Sequence, residues 1–374
     1  MALLDQVDPT GLDEFSVVFT DRSLNHMSAT FQQVMRDISG MLKEVYHADA
    51  VAIVPGGGTY GMEAVARQFG RDANVLVVRN GWFSYRWTQI FEAGGFAGET
   101  HVMKARQTGN GAQAPFAPAP IEEVTAQIRE IKPDIVFAPH VETSAGIILP
   151  DDYLTALAAA AHEVGALMVL DCIASGCIWV DMKATGVDVL ISAPQKGWSA
   201  TPSAGLVMLS ERAVARMAET TSDSFACDLK KWHQIMLAYE NGGHAYHATM
   251  PTDSLRAFRD TVLETRDYGF SRLKEAQWAL GTAVRQMLAD KGVKSVAAEG
   301  FGAPGVVVSY TDDPEVQSGR AFAAKGMQIA AGVPLQCDEP AGFSTFRLGL
   351  FGLDKLYDVD GTVARLHKVI DQVF

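Results

Sequence analysis

Through about residue 220, short apolar runs that stop at polar turns alternate with longer stretches whose apolar positions recur every three or four residues. The short runs are Ala50 to Pro55, Val75 to Arg79, Asp134 to Ala138, Met168 to Asp171, Val187 to Ser192 and Gly205 to Ser210. They are rich in Val, Ile and Leu without polar alternation, as expected of strands buried on both faces. Between Phe31 and Val45, the residues Phe31, Val34, Met35, Ile38, Met41, Leu42 and Val45 fall on one helical face. Further helices are predicted from Thr59 onward and over 83–93, 121–131, 151–164 and 211–220. The helix at 151 opens with Asp151 and Asp152, which suits the positive end of its dipole. Residues 106–120, rich in Gly, Pro, Ala and Gln, read as a surface loop. This alternation predicts an α/β fold, a mostly parallel sheet covered by helices on both faces.

The texture changes after residue 255. A long helical stretch over 256–292 precedes two strand-like runs, Val306 to Tyr310 and Thr345 to Leu350. A smaller C-terminal α+β domain follows from that pattern. The expected organisation is an N-terminal arm or pocket segment (1–29), a large domain (30–255) and a small domain (256–374).

With 48% hydrophobic and 20% charged residues, the 374-residue chain has ordinary globular composition and enough apolar mass for a large core. The formal net charge of −13 argues against nucleic acid or an anionic membrane as partner. No apolar run reaches the roughly 18 residues of a membrane span. The segment Met1 to Asp8 is acidic and lacks an apolar signal core, so a cytoplasmic location is expected. Cys172, Cys177, Cys227 and Cys337 show no metal-ligand spacing, which predicts reduced packing cysteines and no metal site.

Candidate chemistry collects where strands stop, and ligands of open α/β sheets sit at the carboxyl ends of strands. One apolar run ends in Asp171 and a second, from Val187, ends in Lys196, each placing an ionisable group where a strand stops. A lysine and an aspartate facing one ligand suit an imine-forming cofactor, with Lys196 as the Schiff base and Asp171 pairing with a pyridinium nitrogen. Two charges capping strands in solvent would look the same. Gly56-Gly57-Gly58-Thr59 joins a strand to a helix and suits an anion, although it matches neither GxxxxGK[ST] nor GxGxxG. Asn80-Gly81-Trp82-Phe83 places aromatics after another strand, where one can stack on a flat ring. His140-Val141-Glu142-Thr143-Ser144 offers hydroxyls at a third strand end, or loop caps. Arg347, inside an apolar strand, is either a carboxylate clamp or half of a structural ion pair. Together these are the partners that a phosphorylated aromatic aldehyde needs.

From about residue 30 to the C-terminus, the order and spacing of these motifs resemble the class V aminotransferases of pyridoxal-phosphate fold type I, in the alanine–glyoxylate and serine–glyoxylate branch. The resemblance rests on Gly56 to Ala64, Asn80 to Phe83, His140 to Ser144, Asp171 to Ser175, Gln195-Lys196, Tyr246-His247-Ala248-Thr249-Met250-Pro251 and Arg347-Leu348-Gly349. It implies a seven-stranded-type sheet and pyridoxal 5'-phosphate as cofactor. It implies that Lys196 forms the imine and shuttles a proton, while Asp171 keeps the pyridine nitrogen protonated. Phe83 would stack on the ring, Thr143 would reach the phenolic oxygen, and Ile173 belongs to the same cofactor set. Gly58 and Thr59, with Gln195, would hold the phosphate, and Gly57 belongs to the same cofactor set. Tyr246 and Thr249 would complete the phosphate site of a neighbouring subunit, which implies a homodimer with shared active sites. Arg347 would bind the substrate α-carboxylate.

Gln195 stands where cysteine desulfurases of the same class carry a histidine, which favours transamination. The implied reaction moves an amino group from a small amino acid (alanine, serine or aspartate-like) to a 2-oxo acid such as glyoxylate or pyruvate. A lyase, desulfurase or epimerase using the same cofactor is the alternative, and a nucleotide-binding protein using the glycine turn is a more distant one. The chain departs from the family at its N-terminus. The usual Pro-Gly-Pro segment is replaced by Val17 to His26, so Arg22 and His26 become candidates for reading the donor's side chain.

Overall fold

The computed structural model describes residues 7–374. The first six residues of the expected N-terminal arm, and with them most of the acidic Met1–Asp8 segment, lie outside the described residues. Ser28 caps the first helix, α1 (Ala29–Tyr46), by accepting from the Phe31 N–H. The apolar stripe read from the sequence is the buried face of this helix.

Seven strands form the main sheet: β1 (Ala50–Pro55), β2 (Val75–Arg79), β3 (Thr100–Lys104), β4 (Ile135–Pro139), β5 (Leu167–Asp171), β6 (Val189–Ser192) and β7 (Ala204–Leu209). Their spatial order is β1-β7-β6-β5-β4-β2-β3. Only β7 runs against its neighbours β1 and β6; every other pairing is parallel. The expected mostly parallel sheet is therefore present, and its central strands are buried along their whole length. Helices α2 (Gly58–Phe69) and α3 (Trp82–Gly94) follow β1 and β2 directly.

Four elements differ from the sequence-based expectation. The edge strand β3 carries half-exposed and exposed residues, so it shows no apolar run. Within 106–120, two short strands pair with each other and Phe116 is buried, so this segment is only partly a surface loop. The helical stretch at 256–292 is two helices, Thr252–Tyr268 and Phe270–Asp290, broken at Gly269 (φ 108). The helix Leu229–Glu240 was also not anticipated; it lies on β1 and α1.

Toward the C-terminus, β8 (Val306–Tyr310), β9 (Ala330–Ala331) and β10 (Thr345–Gly349) form an antiparallel sheet with β10 in the middle. Leu273, Leu280, Val307, Phe346 and Leu348 share a core with the C-terminal helix through Ile370. Arg285 ties this region to the short hairpin that follows β4. Its Nη2 donates to the carbonyls of Gly146 (3.1 Å) and Ala303 (2.8 Å).

The position of α2 depends on bare backbone. A Cβ on Gly205 of β7 would lie 2.6 Å from the Cα and N of Gly61 on α2. No side chain can yield there, so helix and strand meet only because both residues are glycine. We expect Gly205→Ala to cost about 1–3 kcal/mol through overpacking. Urea unfolding checks this: the midpoint should fall with an unchanged m-value, and an unchanged midpoint would refute the close-approach argument.

Candidate active site

The carboxyl ends of β1, β2, β4, β5 and β6 open onto one region, and a different chemical group arrives from each. Asp171 ends β5 opposite Ile191 of β6 and Pro139 of β4. It is buried, and its Oδ1 accepts from the Ile173 N–H at 2.9 Å. Burial pushes its carboxyl up to about 6, only partly opposed by that hydrogen bond and by the positive charge of Lys196.

Lys196 lies beyond the strand end, in a turn that follows Ser192. The turn doubles back: Ser199 N–H donates to Lys196 O and Ala200 N–H to Pro194 O, both at 3.0 Å. Gly197 lets the turn pack tightly, since a Cβ there would sit 2.1 Å from the Gly176 carbonyl oxygen. Lys196 Nζ thereby reaches 6.0 Å from the centre of the Phe83 ring and 5.4 Å from that of Phe351. Burial lowers the ammonium pKa; the nearby Asp171 opposes this, and Arg347 reinforces it.

Phe83 is the common reference point. The Arg347 guanidinium carbon is 5.7 Å from its ring centre. Arg347 Nε donates to Ala331 O at 2.8 Å, and the side chain has no carboxylate ion partner among the described residues. The structural-ion-pair reading of Arg347 therefore falls away. Burial lowers its pKa, against the pull of Glu142.

Glu142 has no exposed surface, and five hydrogen bonds hold its carboxylate. Phe83 N–H (3.2 Å), Ser84 N–H (2.9 Å) and Ser84 Oγ (2.7 Å) donate from the first turn of α3. Ser144 N–H (3.1 Å) and Ser144 Oγ (2.7 Å) donate from the other side. The carboxylate occupies the positive end of the α3 dipole and fixes the backbone that carries Phe83. Thr143, between Glu142 and Ser144, is buried in the same turn.

At the start of α2, Gly57 offers no side-chain cap, and the N–H groups of Gly57, Gly58 and Thr59 make no hydrogen bond to another described residue. Such an end suits an anion. Ile173 is close by: a Cβ on Gly58 would lie 2.5 Å from its Cδ1. Gln195 and Thr59 are exposed.

The structure thus gathers Lys196, Asp171, Phe83 and Arg347 together, with Ile173 beside Gly58. It does not bring in Arg22, His26, Tyr246 or Thr249 within one chain. Among the described residues, no hydrogen bond, ion pair or ring contact links Arg22, His26, Tyr246 or Thr249 to the Lys196–Phe83–Arg347 group. Instead His26 is buried against Tyr246, with ring centres 5.4 Å apart, and His244 lies 5.9 Å away. Tyr246 OH and Thr249 Oγ1 share a 3.2 Å hydrogen bond, and both side chains are exposed. Arg22 is exposed.

Glu142, Phe351 and Arg86 were not singled out from sequence. A carboxylate in an apolar strand-end turn, with a glycine rather than a capping residue opening α3, was the available signal for Glu142.

The chain matches the aminotransferase class-V family over residues 13–297. It belongs to that family. Among curated proteins it is 28% identical to a 2-aminoethylphosphonate–pyruvate transaminase of Paraburkholderia phymatum over 361 residues, covering 93% of this chain and 91% of the relative. Among solved structures it resembles an aspartate aminotransferase of subgroup IV from Thermus thermophilus (25% identity, 94% of each chain, TM-score 0.76). It also resembles an alanine–glyoxylate aminotransferase from Nostoc sp. (21% identity, 94% and 89%, TM-score 0.77). The fold is that of these enzymes. Class-V aminotransferases use pyridoxal 5'-phosphate, and this site fits it. A buried carboxylate, an amine, a half-buried aromatic face and unsatisfied helix N–H groups match its ring nitrogen, aldehyde, ring plane and phosphate. No helix of the described residues is long and apolar enough to cross a membrane, and no described His/Cys/Asp/Glu cluster could hold a metal. All four cysteines are free and buried.

His140, behind the site, pairs through Nδ1 with Ser175 Oγ at 2.7 Å. Burial, reinforced by the positive charge of Lys274, holds its pKa at about 3. It is neutral in the fold, while the unfolded chain takes up a proton below about 6.5. Stability is therefore fully present above about pH 6.5 and is lost as pH falls toward 3, by up to about 1.4 kcal/mol per pH unit from this residue. His140→Gln should be less stable at neutral pH yet show a shallower loss between pH 6.5 and 4. Parallel slopes in denaturant titrations at several pH values would contradict the assignment.

Proposed function

We propose that the protein transfers an amino group from a small amino acid (alanine, serine or an aspartate-like donor) to a 2-oxo acid such as glyoxylate or pyruvate. The observation that carries this reading is the convergence of Lys196 and Arg347 on the Phe83 ring, beside a buried Asp171. When bound, the cofactor supplies an electron sink for negative charge at the donor's α-carbon. Asp171 holds a proton on the ring nitrogen; a buried carboxylate with a raised pKa favours a cationic partner. Phe83 would hold one ring face and keep water from it, with Ile173 and the Thr143 hydroxyl as further residues that would hold the cofactor. Lys196 Nζ takes the proton from the donor's α-carbon and later returns it; burial enlarges its neutral, basic fraction. Arg347, free of any protein carboxylate, clamps the α-carboxylate of donor and acceptor through its fork of N–H groups.

Gly57, Gly58, Thr59 and Gln195 are assigned to the phosphate. Tyr246 and Thr249, exposed and apart from the site of their own chain, are assigned to the phosphate of a second subunit in a homodimer. His26 rests on Tyr246, so it and Arg22 would read the donor at that shared site. Gln195 before the lysine supports placement with the alanine–glyoxylate and serine–glyoxylate branch. Burial pushes the Cys337 thiol up to about 12, which leaves no ready thiolate for a desulfurase reading. The curated relatives named 2-aminoethylphosphonate–pyruvate transaminases favour pyruvate as acceptor, and they support a phosphonate-bearing amine as the second donor class to test.

Donors screened against glyoxylate, pyruvate and 2-oxoglutarate should yield a 2-oxo acid and a new amino acid together. Release of ammonia or sulfide without the second amino acid would point to a lyase or desulfurase instead. Lys196→Ala should lose the borohydride-bleachable yellow band and at least ~10²–10⁴-fold in rate, the range for a positioned proton-transfer group. A Lys196→Ala variant that keeps both would exclude Lys196. Shared sites predict complementation: Lys196→Ala mixed with Tyr246→Ala through a denaturation–refolding cycle should regain activity, because each heterodimer restores one complete site. No regain would argue that each chain serves only itself.

A further inference from the structure

The groups assigned to the phosphate (Gly57, Gly58, Thr59, Gln195, Tyr246 and Thr249) are all neutral, whereas a phosphate monoester carries close to two negative charges near neutral pH. Arg86 is positioned to supply the missing cation. It stands three residues after Phe83 on α3, so the two side chains leave the same side of the helix. Its guanidinium carbon lies 5.3 Å from the Phe83 ring centre, and its Nη1 donates to Thr59 Oγ1 at 3.0 Å. Arg86 forms no ion pair among the described residues, so most of its five donors remain available. The other arginine at the ring, Arg347, is anchored on Ala331 O of the C-terminal sheet. Two unpaired arginines therefore approach one aromatic ring, one tied to α2 and one to β9. Such an arrangement suits two separate anions, one beside each arginine.

We propose that Arg86 is a phosphate-binding residue of this site, its guanidinium and the Thr59 hydroxyl it contacts holding the phosphate of the pyridoxal cofactor while Arg347 is left to the substrate carboxylate. This rests on the cofactor assignment and on α2 as its phosphate end. Charge-assisted arginine–phosphate hydrogen bonds are roughly twice as strong as neutral ones, so Arg86 sets how strongly the phosphate, rather than the ring, contributes to cofactor affinity.

The test compares pyridoxal 5'-phosphate with pyridoxal, which lacks the phosphate. Cofactor-free wild type, Arg86→Gln, Arg86→Met and Arg86→Lys are titrated with each aldehyde, following the yellow band, with circular dichroism confirming the fold. Arg86→Gln and Arg86→Met should weaken pyridoxal 5'-phosphate by ~10- to 100-fold and leave pyridoxal within about twofold. Arg86→Lys should fall between them and wild type. Either neutral variant suffices if the other fails to fold. An equal loss for both aldehydes would overturn the proposal and make Arg86 a packing support for Phe83. Unchanged affinities with a raised KM for the oxo acid would also overturn it, by assigning Arg86 to the substrate. A wild type that takes up neither aldehyde, or both equally, would overturn the underlying cofactor or phosphate assignment, which is a different result from a wild-type preference that survives in the variants.

Discussion

Glu142 has no exposed surface, and its carboxylate is accommodated there because five donors reach it. Two of them are free backbone N–H groups at the start of α3, which need an acceptor in any case. Neither requirement can be met alone. The glutamate without the helix end is a buried unpaired charge, and the helix end without the glutamate is a row of buried donors; each costs several kcal/mol. Their mutual satisfaction locks the β4 strand end to the first turn of α3, and Phe83 sits in that turn. Lys196, Arg347 and Arg86 all approach the Phe83 ring, so the placing of these groups depends on this bond network.

The same ring shows the electrostatic imbalance of the site. Lys196, Arg347 and Arg86 all lie within about 6 Å of its centre, in a chain whose net charge is −13. Local charge and global charge thus have opposite sign, which concentrates small anions where the bulk of the surface repels them. Burial lowers the pKa of Lys196 and Arg347 and raises that of Asp171. Both directions express unfavourable burial of charge that a bound group of complementary charge relieves. A ligand with a cationic ring nitrogen and an anionic phosphate, accompanied by a carboxylate substrate, matches that imbalance at each end.

The strands, the parallel sheet and the residues at their carboxyl ends were legible because each depends on local pattern: an apolar run, then a charged or hydroxyl residue. Asp171 stood out for that reason, Phe83 as an aromatic just past a strand end, and Arg347 as a charge inside an apolar strand. The edge strand β3 was not legible, since an edge exposed to solvent needs no apolar run. Glu142 and Arg86 were missed because their significance lies in partners far along the chain; Ser84 is 58 residues from Glu142, and Thr59 is 27 from Arg86. Phe351 faces Lys196 from the C-terminal region, a relation no spacing rule encodes. Lys196 stood out as the charge that ends an apolar run, but the tight turn that returns it to the strand ends follows from Gly197 passing over the Gly176 carbonyl, a contact between two loops.

Within one chain, two of the candidate residues stand apart from the rest. Lys196, Asp171, Phe83 and Arg347 face one another, while Tyr246 and Thr249 stand exposed on a surface they share with His26. The N-terminal segment adds exposed Leu12, Phe15 and Val17 to the chain's surface, at 88%, 83% and 102% exposure. Large apolar side chains held this far out in water gain nothing for the isolated fold. Tyr239 OH donates to His26 O at 3.0 Å, so the segment is anchored at the base of the Tyr246 loop. A partner that covered this arm would press on Tyr246 and Thr249 through His26. In the homodimer proposed above, the N-terminal segment would then bear on donor recognition from the second subunit, while the Lys196, Asp171 and Phe83 group stays within one chain.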